Sequence, residues 1–227
     1  MEPVTQAAPS TRTTVRRLPE RGNYDRARID AVLDEGLVCH VGFVTGDGTP
    51  AVVPTTYARI DDHLVVHGSP ASRMLRSLKD GVDVCVVVTL LDGMVLARST
   101  FHHSMNYRSV VVYGRATEIT DPADKRAALD RLVEHLVPGR TEHARGPNDK
   151  ELKSTLVLRL PLDEASAKVR TGPPVDDAED MELPVWAGVL PVGVAVGQAV
   201  SDGASGTDTP VPEHVAGWRR GPVVVAE

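Results

Sequence analysis

Short apolar runs, many rich in β-branched residues, alternate along this chain with turns built on Gly, Asp and Pro. Leu37 to Val44 reads as a strand, Thr45-Gly46-Asp47-Gly48 as a hairpin turn and Ala51 to Ile60 as its partner, because such turns need the positive φ that Gly and Asp adopt. Asp61-Asp62 makes the next turn and Leu64 to His67 the third strand of a meander. Val82 to Leu90 is long and apolar enough for a central strand; Asp92-Gly93 is read as a turn, Val95 to Ala97 as a short strand and Val110 to Tyr113 as another. Thr155 to Leu160 and Ala167 to Arg170 come next at the same spacing.

Helical periodicity is sparser. Asn23 or Asp25 caps a helix through Glu35 that places Ile29, Val32 and Leu33 on one face before Gly36. A short helix runs from Arg73 to Lys79. Asp121-Pro122 opens a longer one to about Val137, with Ala128, Leu129, Leu132, Val133 and Leu136 in one stripe. The expected organisation is an N-terminal flexible arm over residues 1–20, one β-rich domain over 21–172, and an extended C-terminal tail over 173–227.

Composition narrows the classes of function. The formal net charge is −6 with both signs interspersed, so no basic stripe invites nucleic acid. No stretch approaches a membrane span and the N-terminus has no apolar core of a signal peptide, so a cytoplasmic protein is expected. The two cysteines, Cys39 and Cys85, each lie in an apolar run, the pattern of buried free thiols.

The candidate chemistry concentrates between Val95 and Ala116, VLARSTFHHSMNYRSVVVYGRA. A polar corner, Arg98 to Ser109, sits between two apolar runs, and polar groups so placed either satisfy one another or face a ligand. A second candidate is His67-Gly68-Ser69-Pro70-Ala71-Ser72-Arg73, a strand end, a small-residue turn and a helix start, which would aim backbone N–H groups, hydroxyls and a guanidinium at an anion. Pro54 lacks the N–H that a sheet ladder needs, so one edge of its strand is expected to be open or bulged. His102 and His103 are adjacent and point apart, so they read as hydrogen-bonding or pocket-lining residues; a metal or haem ligand is the lesser alternative.

The pattern SxxxHHSxNYRSVVxxGRA resembles the FMN-binding split-barrel superfamily of pyridoxamine 5′-phosphate oxidase, in particular its nitroimidazole-resistance reductase branch. The resemblance spans about Arg21 to Gly172. It implies a mainly β fold with flanking helices, a six-stranded Greek-key split β-barrel, acting as a homodimer with FMN at the subunit interface. It places Ser69, Ser72 and Arg73 at the flavin phosphate, with Met74 where the oxidases usually carry a lysine. Val53, Thr55, Thr56 and His67 would lie beside the ring. Tyr107 and Ser109 would face the flavin, Arg108 the subunit interface, and Trp186 a neighbouring active site, with His102 and His103 in the substrate pocket. The implied activity is flavin-dependent oxidoreduction of a small molecule; the alternative is a non-enzymatic FMN- or haem-binding carrier or sensor. Oxidation of pyridoxamine phosphate itself is disfavoured, because the nearest match to a C-terminal Arg-x-His motif is Val169-Arg170-Thr171.

Overall fold

The computed structural model describes residues 7–203 and 209–219; the remaining parts of the expected arm and tail, 1–6, 204–208 and 220–227, lie outside them. The architecture is mainly antiparallel β in two sheets, the layout of the split barrel, with few helices and no closed sheet. Among the described residues eleven strands form. The larger sheet runs in the order β1 (Gly22–Asn23), β10 (Glu164–Arg170), β7 (Ser104–Arg115), β6 (Asp83–Leu96), β2 (Val38–Val44), β3 (Pro50–Thr56), with β11 (Gly188–Pro191) added to the far part of β6. The smaller sheet has the order β4 (Ala58–Ile60), β5 (His63–Gly68), β9 (Leu156–Pro161), β8 (Thr117–Glu118).

Two strands pass from one sheet to the other at a single residue each. β3 becomes β4 at Tyr57, and β7 becomes β8 at Ala116; both residues are buried. Strand alternation then fixes what faces inward. Cys39, Val41 and Phe43 of β2, Val84, Val86 and Val88 of β6, and Leu64 and Val66 of β5 meet Leu156, Leu158 and Leu160 of β9 in one core. Burial pushes the Cys39 thiol up to about 12, and both cysteines are free.

Three helices close the ends and one flank of the barrel. α1 (Arg26–Glu35) starts after Asp25, whose side chain makes no capping bond, and buries the expected Ile29, Val32 and Leu33. α2 (Arg73–Lys79) starts at Ser72, whose hydroxyl accepts from the Leu75 N–H. α3 (Pro122–Leu136) is capped by Asp121 and lays Ala128 and Leu132 against Ala58, Val65 and Val157 on the outer face of the smaller sheet. A short α4 (Asp149–Lys153) leads into β9, and α5 (Glu213–Ala216) lies near the described C-terminal end. No described helix is long and apolar enough to cross a membrane.

Several local expectations change. Asp92-Gly93 is not a turn: β6 continues through it for 14 residues, with the pairing to β7 shifting between Leu91 and Gly93. The shift is a bulge that turns the Asp92 side chain inward, where it meets Arg108. Gly93 is required there because β11 crosses it; a Cβ would lie 2.9 Å from Val189 Cγ1 and 3.2 Å from the Leu190 carbonyl oxygen. Residues 104–109, expected in a polar corner, are the first half of β7. The expected single strand from Ala51 to Ile60 is broken at Tyr57. The described part of the expected N-terminal arm packs down: Arg12 Nε donates to Glu164 at 2.8 Å, and Thr13 is buried.

Tyr57 ties α1 to this frame, its hydroxyl donating to the Leu33 carbonyl at 2.6 Å. Gly36, just past α1, leaves the room: a Cβ would lie 2.6 Å from that hydroxyl and 2.5 Å from Val88 Cγ1. Gly36→Ala should therefore destabilise the protein by about 1–3 kcal/mol through overpacking, read as a lower urea midpoint at an unchanged slope. An unchanged midpoint would show that the α1 junction is loosely packed.

Candidate cofactor site

The first pair in the β4–β5 ladder is Ala58 with Val65. Thr56 and His67 stand two residues beyond that pair on strands that diverge, since β3 leaves for the larger sheet. This divergence is the split of the barrel. It brings together two groups of expected site residues, Val53, Thr55 and Thr56 on β3 and His67, Ser69, Ser72 and Arg73 at the β5–α2 junction. β3 is an edge strand, as Pro54 required. Val53 and Thr55 share the inward face with Ala51, while Val52, Pro54 and Thr56 face outward.

At the junction both serines organise backbone. Ser69 Oγ accepts from the Ala71 N–H at 3.1 Å, and Ser72 Oγ caps α2. Both hydroxyls keep a proton to donate. Arg73 is exposed, and no hydrogen bond or ion pair engages it among the described residues. Met74, at the position of the oxidases' lysine, is buried in the core, so a cation there would have no outlet to solvent.

The other expected residues lie elsewhere in the chain. Tyr107 and Ser109 do point the same way, onto the outer face of the larger sheet, and Ser109 Oγ donates to the Lys168 carbonyl at 3.3 Å. β7 is separated from β3 by β6 and β2, roughly 14 Å at the usual strand spacing. One chain therefore cannot bring Tyr107 and Thr55 to the same ring. Arg108 departs from expectation. It turns inward, where its Nη2 donates to Asp92 at 2.7 Å and to Glu35 at 2.9 Å, so it is consumed inside the protomer and does not present itself to an interface. Its hydrogen bonds to Asp92 and then to Glu35 hold its pKa above the ordinary arginine value. Nothing in the local sequence announced this triad, whose members come from α1, the β6 bulge and β7.

His102 Nε2 lies 3.1 Å from Asp177 Oδ2, and His103 Nδ1 lies 3.0 Å from the Ser99 carbonyl. Asp180 joins His102 and Asp177 in a partly exposed group of possible metal ligands. These residues sit at the far end of β6 and β7, away from the split. Trp186 is 68 % exposed and packs its ring over Gly188 at the start of β11. Arg170 is buried, donating to Asn106 and to the Pro173 carbonyl, and is not available as a substrate-binding cation.

Sequence reasoning treated α3 only as a cover. Its stripe is wider than the part that packs: Leu129, Val133 and Leu136, with buried Leu132, wall a cavity of about 430 Å³ closed by residues 141–155. His67 enters this cavity from β5. Its Nδ1 is buried with no hydrogen-bond partner, and burial lowers its pKa, holding the ring neutral. Two further cavities flank α3, one at Asp61 to His63 and one at Asp34 and His135; neither is lined by a residue with such a buried, unpaired atom. The signal that would have found the cavity was the polar loop with Thr141, Arg145 and Glu151 placed directly after an overwide apolar stripe.

A split barrel with an open β3 edge and a serine- and arginine-bearing strand–helix junction after β5 defines the class. The family model described as pyridoxamine 5′-phosphate oxidase matches residues 25–169, and the chain belongs to that family. The Azotobacter vinelandii flavocytochrome Anf3 is 42% identical, with 95% of this chain and 100% of that chain covered and a TM-score of 0.89. A Mycobacterium smegmatis protein described as FAD- and haem-binding is 38% identical, with 87% and 96% covered and a TM-score of 0.83. A Bacteroides thetaiotaomicron protein, described as a putative 5-nitroimidazole antibiotic resistance protein, is 27% identical over 65% of this chain and 86% of that one, with a TM-score of 0.55. No curated protein matches this chain. The resemblance drawn from residues 95–116 holds.

The neutral state of His67 has a sign that can be measured. A base whose folded pKa is depressed binds fewer protons folded than unfolded, so stability rises with pH in the window just below the unfolded value of about 6.5. The protein should lose stability as pH falls from about 7 towards 5, and His67→Gln should flatten that part of the urea-midpoint profile. An identical slope in the variant would show that His67 titrates alike folded and unfolded.

Proposed function

We propose that this chain is a flavin-dependent redox protein that works as a homodimer on a small molecule. The observation that carries the reading is the unspent charge of Arg73 at the start of α2, in a chain whose other site-region arginines, Arg98, Arg108 and Arg170, are committed to internal partners. An exposed guanidinium next to Ser69 and Ser72 suits a flavin phosphate. Flavin supplies hydride and electron transfer when bound. The residues of this chain would orient it: Val53, Thr55 and Thr56 along one edge, Ser69, Ser72 and Arg73 at the phosphate.

The dimer is supported by the outer face of the larger sheet. Val38, Val44, Val52, Leu91, Met94 and Met105 are exposed there, and so large an apolar set on one face is the mark of an interface. A partner sheet docked on it would carry Tyr107 and Ser109 to the split of the other protomer, which removes the separation a single chain imposes. FMN is the form that the family resemblance implies; the Mycobacterium smegmatis relative is described as binding FAD and haem. A second cofactor has a specific observation in its favour, since the Azotobacter vinelandii relative is a flavocytochrome. In that reading electrons pass between flavin and haem, and the chain acts as a carrier or as a reductase.

The absorbance spectrum of the purified protein, with FMN and FAD added separately, is the direct test. Flavin should comigrate with the protein on gel filtration, be bleached by NADH or NADPH, and be reoxidised by a quinone or a nitroaromatic. Arg73→Ala should weaken flavin binding by about tenfold, the loss of one charge-assisted bond; unchanged affinity would sink the phosphate assignment. Val52→Asp should convert dimer to monomer in light scattering and lower flavin retention in parallel. A monomeric wild-type protein that still holds flavin would overturn the interface reading.

A further inference from the structure

The smaller sheet carries a charge on the face that α3 partly covers. Register puts Ala58, Val65, Arg159 and Thr117 in one cross-strand row, and Ala58 and Val65 of that row pack against Ala128 and Leu132 of α3. Arg159 is exposed on β9, an interior strand, and its Nε reaches only the Thr117 hydroxyl, at 3.4 Å. On α3, Arg131 is exposed too. Among the described residues no carboxylate forms an ion pair with either guanidinium. Glu134 attracts Arg131, but its oxygens are already engaged by the Gly139 and Thr141 N–H groups at 2.6 and 2.8 Å.

Both arginines line one cavity of about 400 Å³ between α3 and the outer face of the sheet, a volume in the range of small-molecule sites. Asp124, Ala127, Ala128 and Arg131 recur at helical spacing, so they form one wall from a single face of α3, and the two alanines leave the volume open. Ile60 and Ile119, half-buried against the cluster of Ala58, Val65 and Leu132, give an apolar floor. Three carboxylates share the rim, and each has its own compensation. Asp62 lies 2.6 Å from the His63 ring and is attracted by Arg26, and Asp61 lies in the field of Arg59. Asp124 stands in the first turn of α3, at the positive end of the helix dipole. What is left over in the cavity is two guanidiniums above hydrocarbon.

We propose that this cavity is a separate ligand site for a small organic anion, an apolar body ending in a carboxylate or phosphate. Arg131 from the helix wall and Arg159 from the sheet wall hold the head, whose oxygens suit the planar fork of a guanidinium. Ile60 and Ile119 lie under the body. The site is independent of the flavin reading: β5 runs from His63 at this cavity to Gly68 at the α2 junction, five residues on or roughly 16 Å at the usual rise of a strand.

The test titrates the full chain with benzoate, phenyl phosphate, inorganic phosphate and benzylamine, followed by ligand-observed NMR. Benzoate or phenyl phosphate should bind saturably, and the tighter of the two names the head group. Arg131→Gln and Arg159→Gln should each weaken that binding by about tenfold, the loss of one charge-assisted bond. Asp124→Asn should tighten it by about two- to fivefold, the size of an effect between exposed charges. Ala127→Leu, at an exposed position of α3, should fill the cavity and remove binding with the urea midpoint unchanged. Should Arg159→Gln fail to fold by circular dichroism, Arg131→Gln and Ala127→Leu decide, since both change exposed helix positions. Binding should persist in Arg73→Ala; its loss there, with Arg131→Gln unaffected, would move the anion to the α2 junction and overturn the assignment. So would the absence of saturable binding by either aromatic anion, tighter binding of benzylamine than of both, or weaker anion binding in Asp124→Asn. Inorganic phosphate bound as tightly as phenyl phosphate would overturn the role given to the apolar floor. A wild-type protein that binds these anions but no flavin would sink the redox reading built on Arg73 and leave this site standing.

Discussion

Tyr57 is the constraint on which the arrangement turns. It is the single residue between a strand of one sheet and a strand of the other, and it is wholly buried, so its ring and hydroxyl must find room and a partner at the same point. The Leu33 carbonyl supplies the partner and the missing side chain at Gly36 supplies the room. Because β3 is anchored there and then departs along β2, it cannot stay paired with β5. The strands part, and the gap between them is the opening at which Thr56, His67 and the α2 start converge. A chain crossing between two sheets needs such a corner, and here the corner also creates the site.

The polar groups of the molecule divide into those with internal partners and those without. Arg108 joins α1, the β6 bulge and β7 through Glu35 and Asp92. Arg98 holds Asp176, and Arg170 holds Asn106 and the start of the tail. These side chains look like ligand-binding residues in the sequence, yet each answers a buried or half-buried need of the fold. Arg73 and His67 have no such duty, one exposed and charged, the other buried and neutral. Charge left over on the surface favours an anion. Function is read from this remainder.

The C-terminal tail owes part of its path to an open strand edge. The bulge at Asp92 gives β6 a far segment that runs beyond the β2–β3 edge, and β11 completes it. An unprotected edge of that length would be a liability for aggregation. Pairing with residues 188–191 covers it and positions Trp186 at the rim of the larger sheet.

Much of this was legible locally. The helix starts at Asp25, Ser72 and Asp121, the apolar faces of α1 and α3, the edge position of the Pro54 strand and the family resemblance of residues 95–116 all come from rules that act over a few residues. The alternation that sends Tyr107 and Ser109 one way and Arg108 the other was legible too. What each direction means was not, because a strand's pattern says nothing of what stands across from it. Whether Asp92-Gly93 turns or bulges depended on Arg108 and β11, and whether His67 has a partner depended on α3 and a loop distant along the chain. By itself the sequence determined most of the helices and strands and pointed to the family. Only the tertiary structure decided which polar groups were left over, because satisfaction of a buried group is a property of its neighbours in space and those neighbours are far away in sequence.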